Sequence, residues 1–312
     1  MKRIFFTCFI ILLIIEILMF PKESMSYAAN GLTLWFNNMV PALFPFMVIS
    51  GLAIRLDIAP NIISVIHPFL HKIFRTDYYC EYAIVMGFLC GYPMGAVIIR
   101  DLWKEHKITA MQANWLLSFC NNIGPVFFTS LVLPIFDKKY HVLLLCGMYL
   151  IPFLYGILMR YTLYKNGFHD TQIIQPVKLS DNKACFTTAF TDSLNQAVSS
   201  SLFLGACMIF FNMLRFLPSH FCTENKIAET IIAWFLEANG AVTATGILYH
   251  NGNIILSLFL ITLLSLGGLS CLCQTAGILA DTPCSIQKHI IHKIIQALLW
   301  SALTLLWLPI VH

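Results

Sequence analysis

Two long apolar segments of this chain are interrupted in the same way. The sequence SFCNNIGP at 118–125 breaks one segment, and SLGGLS at 265–270 breaks another. Each break follows a Leu-Leu pair, and a Gly-Ala-Val tripeptide (95–97 and 240–242) lies a similar distance upstream of each. Broken backbone inside a bilayer is stable only where protein or a water-filled cavity covers it. Matched interruptions in two halves of a membrane chain point to a substrate site, so the pattern predicts a carrier.

The composition predicts an all-α, polytopic membrane protein. The chain is 58% hydrophobic and 11% charged, whereas soluble domains carry about 25% charged residues, and its mean hydropathy is +0.77. The net charge of +4 is spread along the loops, so no nucleic-acid partner is expected, and the lipid bilayer is the expected surroundings. Apolar windows long enough to enter the bilayer occur at 4–20, 31–54, 80–99, 110–133, 141–159, 196–217, 229–248, 254–280 and 294–311.

The N-terminal segment 4–20 follows Lys2 and Arg3. Its apolar run exceeds the usual length of a signal-peptide core, and Glu16 lies inside it. We therefore expect an uncleaved first helix with its N-terminus in the cytoplasm, while cleavage stays open.

Charged loops predict a re-entrant hairpin. The loops at 55–75 and 100–107 are both basic, and basic loops face the cytoplasm. Both loops can lie there only if segment 80–99 enters and leaves on one side. Its centre, GFLCGYPMG at 87–95, contains the Gly and Pro residues that permit such a turn. The second half then begins from the cytoplasm in the opposite sense.

The predicted organisation is therefore two inverted repeats. Residues 1–30 form an N-terminal transmembrane helix and loop, and 160–185 form a cytoplasmic linker between the repeats at 31–159 and 186–311.

Polar residues within the apolar segments are the candidate site. Placing a carboxylate near the middle of a membrane costs about 2.5–3.5 kcal/mol on insertion scales, so a carboxylate there marks a functional site by default. We therefore expect Glu237 to couple transport to an ion, either a proton or sodium. Its alternative role is a structural hydrogen bond. Two roles are equally open for the amide and hydroxyl residues in these segments, namely substrate binding and hydrogen bonding between packed helices. These residues are Asn121, Asn122, Ser270 and Gln274. No Lys or Arg stands out at mid-membrane.

Metal and enzyme chemistry are not expected. His67 and His71 are four residues apart and could share a helix face. No acidic or thiol residue follows at matching spacing, so we interpret the segment as an amphipathic connection. No apolar segment pairs a His with a carboxylate, so neither a catalytic residue nor a cofactor is predicted.

Several motifs together resemble a known family. They are WFNNMVPALFPF at 35–46, GFLCGYPMGA at 87–96, LSFCNNIGP at 117–125, EANG at 237–240, and GGLS at 267–270 with Gln274. In this order they resemble the YlbJ-type sporulation integral membrane proteins, which contain the nucleoside-recognition "Gate" domain.

The resemblance implies a fold, a cargo and a location. The Gate domain is similar to the core of concentrative nucleoside transporters, with re-entrant hairpins and interrupted helices around a central site. The implied cargo is dipicolinic acid moved towards the forespore, with a nucleoside as the alternative. The implied location is the cell membrane or the outer forespore membrane, and a homo-oligomer stays open.

The predicted site is a central cavity between the two interrupted segments. Half-helix N-termini attract anions, so N–H groups near Gly124 and Gly268 are expected to face a bound carboxylate. A non-transporting gate or scaffold remains the alternative from another class. With Glu237 as the ion-coupling residue, the predicted substrate-binding residues are Gly91, Tyr92, Pro93, Gly95, Ser118, Asn121, Asn122, Gly124, Pro125, Asn239, Gly240, Gly267, Gly268, Ser270 and Gln274.

Overall fold

The computed structural model describes residues 2–168, 185–216 and 225–311, and over those ranges its regular structure is entirely helical. The predicted linker falls largely on 169–184, outside the described residues. Within the described part, five helical stretches are long and apolar enough to cross a membrane. They are Pro21–Arg55, Lys138–Tyr161, Phe186–Leu214, Ile254–Ile278 and Ile286–Pro309. The prediction of an α-helical, polytopic membrane protein is confirmed.

The first spanning stretch is continuous but not uniform. After α1 (Lys2–Met19), α2 (Pro21–Leu34) passes through a π-helical turn at Trp35–Met39 into α3 (Val40–Arg55). The stretch therefore begins ten residues before the predicted segment 31–54. The reason is that Pro21 starts a helix efficiently at its first turn, although 21–30 is too polar to register as apolar.

Two short helices, α4 (Ala59–Ile63) and α5 (His67–Phe74), lead into a helical hairpin. Its arms are α6 (Tyr78–Cys90) and α7 (Met94–Lys104), which pack against each other. The 13 and 11 residues of the arms give lengths of about 20 and 17 Å, well short of about 30 Å of hydrocarbon. A helix of that length cannot span the hydrocarbon core of a membrane. The lengths of the arms therefore agree with the expected reversal at Gly91.

The second predicted segment of this half is broken as expected. Helix α8 (Ala110–Leu117) begins with a capping box between Thr109 and Gln112 and ends before the non-helical residues 118–124. Helix α9 (Pro125–Phe127) restarts the chain and continues through π and 3₁₀ turns to Ile135. The half closes with α10 (Lys138–Leu145) and α11 (Ile151–Tyr161), joined by a π turn.

The second half repeats this order of elements. It begins with the long helix α12 (Phe186–Leu214) and continues with a hairpin of α13 (Lys226–Leu236) and α14 (Ala238–His250). A 3₁₀ turn, Ile261–Ser265, and a break at Leu266 and Gly267 separate α15 (Ile254–Leu260) from α16 (Gly268–Ile278). Helix α17 (Ile286–Val311) closes the chain. The recurrence fits two repeats, while their inverted relation stays a prediction.

Three predicted boundaries in this half differ from the structure. Helices α12 and α17 begin eight to ten residues before the predicted segments at 196 and 294, because their first turns are polar but still helical. The predicted segment 229–248 is not continuous. It breaks at Glu237, whose extended backbone (φ −154°, ψ 125°) separates α13 from α14.

If the first hairpin is re-entrant, both of its ends lie on one side of the membrane. Single cysteines introduced at Asp77 and at Lys104, in a background lacking the exposed native thiols, should then react with an impermeant reagent from the same face of sealed vesicles. Reaction from opposite faces would mean that the hairpin spans. Cysteines at Lys138 and at Tyr161, the ends of a stretch that is long enough to cross, are the control and should react from opposite faces.

Candidate functional site

One cavity of about 430 Å³ lies between elements of both halves. Its wall includes the tip of the first hairpin (Tyr92), the first break (Gly124), the second hairpin tip (Glu237) and α16 (Gln274). The start of α3 and the middle of α12 complete the wall. Helix α3 contributes Pro41 and its neighbours, and α12 contributes Leu204 and Met208. The lining is mostly apolar, and among the predicted site residues these four line it.

The first hairpin tip packs directly on the first break. Gly91 has φ +84° and ψ −170°, a conformation essentially restricted to glycine. A Cβ atom placed on Gly91 would lie 2.2 Å from the Gly124 backbone nitrogen, and one on Gly95 would lie 2.9 Å from the Asn121 Cα. The peptide bond between Tyr92 and Pro93 is cis. The two segments therefore touch through bare backbone.

The second hairpin tip packs on the second break in a comparable way. A Cβ atom on Gly268 would lie 3.0 Å from the Trp234 carbonyl oxygen and 3.3 Å from the Glu237 nitrogen. The Glu237 carboxylate caps α14 by accepting a hydrogen bond from the Gly240 N–H at 3.0 Å. Tyr92 joins the two assemblies, because its hydroxyl donates to the Ser265 carbonyl at 2.9 Å.

Side chains satisfy the carbonyl groups that the first break leaves without helical partners. Two of these side chains lie on one face of α17. His289 donates to Leu117 O at 2.9 Å, and Gln296 donates to Ser118 O at 2.6 Å. Tyr149 donates to Ile123 O at 3.2 Å. Unpaired carbonyls in an apolar interior cost several kcal/mol each, so this face of α17 stabilises the broken backbone.

A buried lysine lies in the same place. Lys293 is fully buried, and its ammonium donates to Asn122 Oδ1 at 2.6 Å and to Gln296 Oε1 at 3.3 Å. It lies 5.6 Å from the centre of the Tyr92 ring. Within the described ranges no carboxylate lies within 4 Å of it.

The expectation that no cation stands out inside the protein is therefore wrong. The sequence signal was available, because His289, His292, Lys293 and Gln296 recur at the spacing of one helix face. A hydropathy window that began at 294 excluded the first three of them.

The remaining predicted residues lie beside the cavity rather than in its wall. Asn121 donates to Thr275 at 3.0 Å, and Gln274 donates to Ser270 at 3.0 Å. Asn122 donates to Phe119 O at 2.6 Å. Ser118 donates to Trp115 O at 2.6 Å.

The predicted glycine Gly240 lies against a second cation. A Cβ atom on Gly240 would come within 1.8 Å of an Arg215 guanidinium nitrogen, so the arginine lies over the first turn of α14. The side chain of Asn239, next to it, falls outside what the structure describes.

A comparison with curated proteins finds a relative over almost the entire chain. The "Sporulation integral membrane protein YlbJ" of Bacillus subtilis (strain 168) is 24% identical, over 97% of this chain and 82% of the relative. This similarity confirms the predicted YlbJ-type assignment. No family model and no solved structure matches the chain.

The contact between Gly91 and Gly124 makes a specific prediction for this YlbJ-type chain. Gly91→Ala forces a methyl group into backbone and imposes a strained conformation that costs on the order of 1–3 kcal/mol. We expect a lower thermal midpoint, and Gly91→Val should lower it further because its side chain is larger.

Gly252→Ala is the matched control. Gly252 also has positive φ, +90°, but a Cβ atom placed on it would meet nothing within 4 Å. It carries the backbone strain without the clash, so its effect should be clearly smaller. Equal losses in the two variants would show that the contact at the break does not matter.

The α17 hydrogen bonds can be tested in the same manner. Gln296→Leu leaves the Ser118 carbonyl and Lys293 each short of one partner, and an unsatisfied buried polar group costs about 1–3 kcal/mol. We expect a drop of that size in unfolding free energy in detergent or lipid. Gln287→Leu, at an exposed position of the same helix, should leave stability nearly unchanged.

Proposed function

We propose that this chain is a sporulation-associated membrane carrier of a small anionic metabolite, with dipicolinic acid moved towards the forespore as the leading cargo. The outer forespore membrane is the proposed location. The observation that carries the proposal is the cavity at which the interrupted backbones of both halves converge. Interrupted helices at a repeat interface are where secondary transporters bind their substrates.

The size and lining of the cavity suit a small ring-containing molecule. Ligand sites are typically cavities of about 300–1,000 Å³ with apolar walls and a few polar groups. Here the polar groups in the wall include Asn38, Ser130, Glu237 and Gln274. The Tyr92 ring and two phenylalanines, Phe46 and Phe127, offer aromatic surface for a planar ring.

The charges near the cavity favour an anion. The ammonium of Lys293 lies behind the Tyr92 wall without a carboxylate neighbour in the described ranges. Coulombic attraction acts over longer distances in a low-dielectric interior than in water, so a dianion in the cavity gains from Lys293 when that side chain is protonated. Glu237 opposes such a cargo when it is ionised, and a proton or a sodium ion arriving with the cargo would neutralise it.

A specific observation supports each of two other functions. A nucleoside carrier is the second candidate, because Asn38, Gln274 and Glu237 could hydrogen-bond a ribose and a base. A gate or scaffold protein that transports nothing is the third, since the polar residues at the first break are all engaged in hydrogen bonds that stabilise the fold.

Uptake by reconstituted protein separates these functions. The purified chain in proteoliposomes should take up labelled dipicolinate with saturation and should prefer it to labelled uridine. Preference for uridine supports the nucleoside carrier instead. Absence of uptake for both, with a monodisperse and thermally stable protein, supports the scaffold.

Glu237→Gln tests the coupling role. The amide oxygen can still accept the Gly240 N–H bond that caps α14, while the group no longer titrates. We expect normal abundance and a loss of the pH or sodium dependence of uptake. Unchanged pH and sodium dependence would sink the coupling role.

A variant with a different defect serves as the comparison. Glu237→Leu removes the cap as well as the charge, and losing an N-terminal cap costs about 0.5–2 kcal/mol. It should reduce stability, which Glu237→Gln should not.

A further inference from the structure

Two histidines and a buried glutamate come together outside the cavity. His67 and His71 lie one turn apart on α5, and Glu81 lies on the first hairpin arm, α6. One potential ligand atom from each residue lies within 4.8 Å of the other two. The Glu81 partner follows from the packing of α5 on α6, and no local spacing in the sequence predicts it.

Each oxygen of the Glu81 carboxylate lies nearest a different histidine of the cluster. His67 Nδ1 lies 2.6 Å from one Glu81 carboxylate oxygen, and His71 Nδ1 lies 3.9 Å from the other. That second oxygen is buried and makes no hydrogen bond. A buried carboxylate oxygen without a partner is costly, and a cation between it and the two rings would remove that cost.

The surroundings hold the two rings in place. His67 stacks on Tyr78 with ring centres 3.9 Å apart, and the two histidine rings lie 5.0 Å apart. His71 Nδ1 also lies 2.8 Å from the Thr76 carbonyl oxygen. That bond occupies Nδ1, so the lone pair that can bind a metal is on the other ring nitrogen, Nε2, and backbone carbonyls commonly orient metal-binding histidines in this way.

The chemistry of the three ligands selects a class of metal. Imidazole nitrogens suit zinc and its neighbours in the first transition series, whereas magnesium and calcium prefer oxygen ligands alone. Zinc bonds of about 2.0–2.2 Å in tetrahedral geometry place ligand atoms about 3.4 Å apart. One candidate ligand atom from each residue already lies within 4.8 Å of the other two, so side-chain rotations have to bring these atoms to that spacing. The part-exposed His71 side chain, 42% accessible, leaves room for water as a fourth ligand.

We propose that His67, His71 and Glu81 form a zinc-binding site that fastens α5 to the first arm of the re-entrant hairpin. On binding, the metal takes the place of the proton that His67 and Glu81 share, and that proton is released to water. The site links the amphipathic α5 to the element whose tip lines the cavity. The proposal is independent of what the cavity transports.

Metal content of the purified full-length chain tests this inference. The protein is prepared in detergent through a tag without histidine, stripped with a chelator and dialysed against zinc. We expect about one zinc ion per chain, retained against magnesium and measured by elemental analysis. Competition with a chromophoric chelator then gives the affinity.

Variants assign the ion to the cluster. His71→Gln should weaken zinc binding by at least about 10- to 100-fold, the loss that even an outer-shell substitution causes. His250→Gln is the matched control, because His250 is exposed and lies outside the cluster. The site is refuted when wild type binds no zinc, or when both variants bind it as tightly as wild type does.

A spectroscopic measurement on the unaltered protein does not depend on variant folding. X-ray absorption at the zinc edge should report only nitrogen and oxygen ligands, with the multiple-scattering signature of two imidazoles. Sulfur ligands would assign the ion to some of the 11 cysteines and overturn the proposal.

Discussion

Backbone that is not helical inside a bilayer must find hydrogen-bond partners within the protein. Buried backbone in the interior of a protein has the same need, and this chain has four irregular places, namely the two hairpin tips and the two broken segments. The structure meets it by bringing the four places together, with Gly91 against Gly124 and Gly268 against Trp234 and Glu237. Side chains then reach the carbonyls that remain, as His289, Gln296 and Tyr149 do. The cavity lies beside this convergence, and its wall includes residues of both hairpin tips and of the first break.

The sequence could predict the places where glycine or proline interrupts an apolar run. The turn at Gly91, the break before Pro125 and the break at Gly267 were expected, because glycine tolerates positive φ and proline starts a new helix. The break at Glu237 was not expected. It relies on a glutamate acting as an N-terminal cap for α14, and a hydropathy window that averages over its apolar neighbours hides a single capping residue.

Long-range contacts were the part that sequence reasoning could not supply. Asn121 and Asn122 were singled out correctly as polar residues in an apolar run, but their partners Thr275 and Lys293 come from elements far along the chain. The Glu81 partner of the two histidines likewise depends on how α5 packs on α6. Periodicity places a residue on one face of its own helix, but only the tertiary packing decides which other element contacts that face.

The polar residues around the breaks have two roles. They stabilise the irregular backbone, and they connect the two halves of the protein. The Lys293 side chain stabilises the first break through Asn122 and lies 5.6 Å from the centre of the Tyr92 ring, which lines the cavity. Tyr92 in turn bonds the Ser265 carbonyl at the second break. A displacement of Tyr92 would therefore act on both breaks at once. The interactions that stabilise the irregular backbone thus also link the two halves across the cavity.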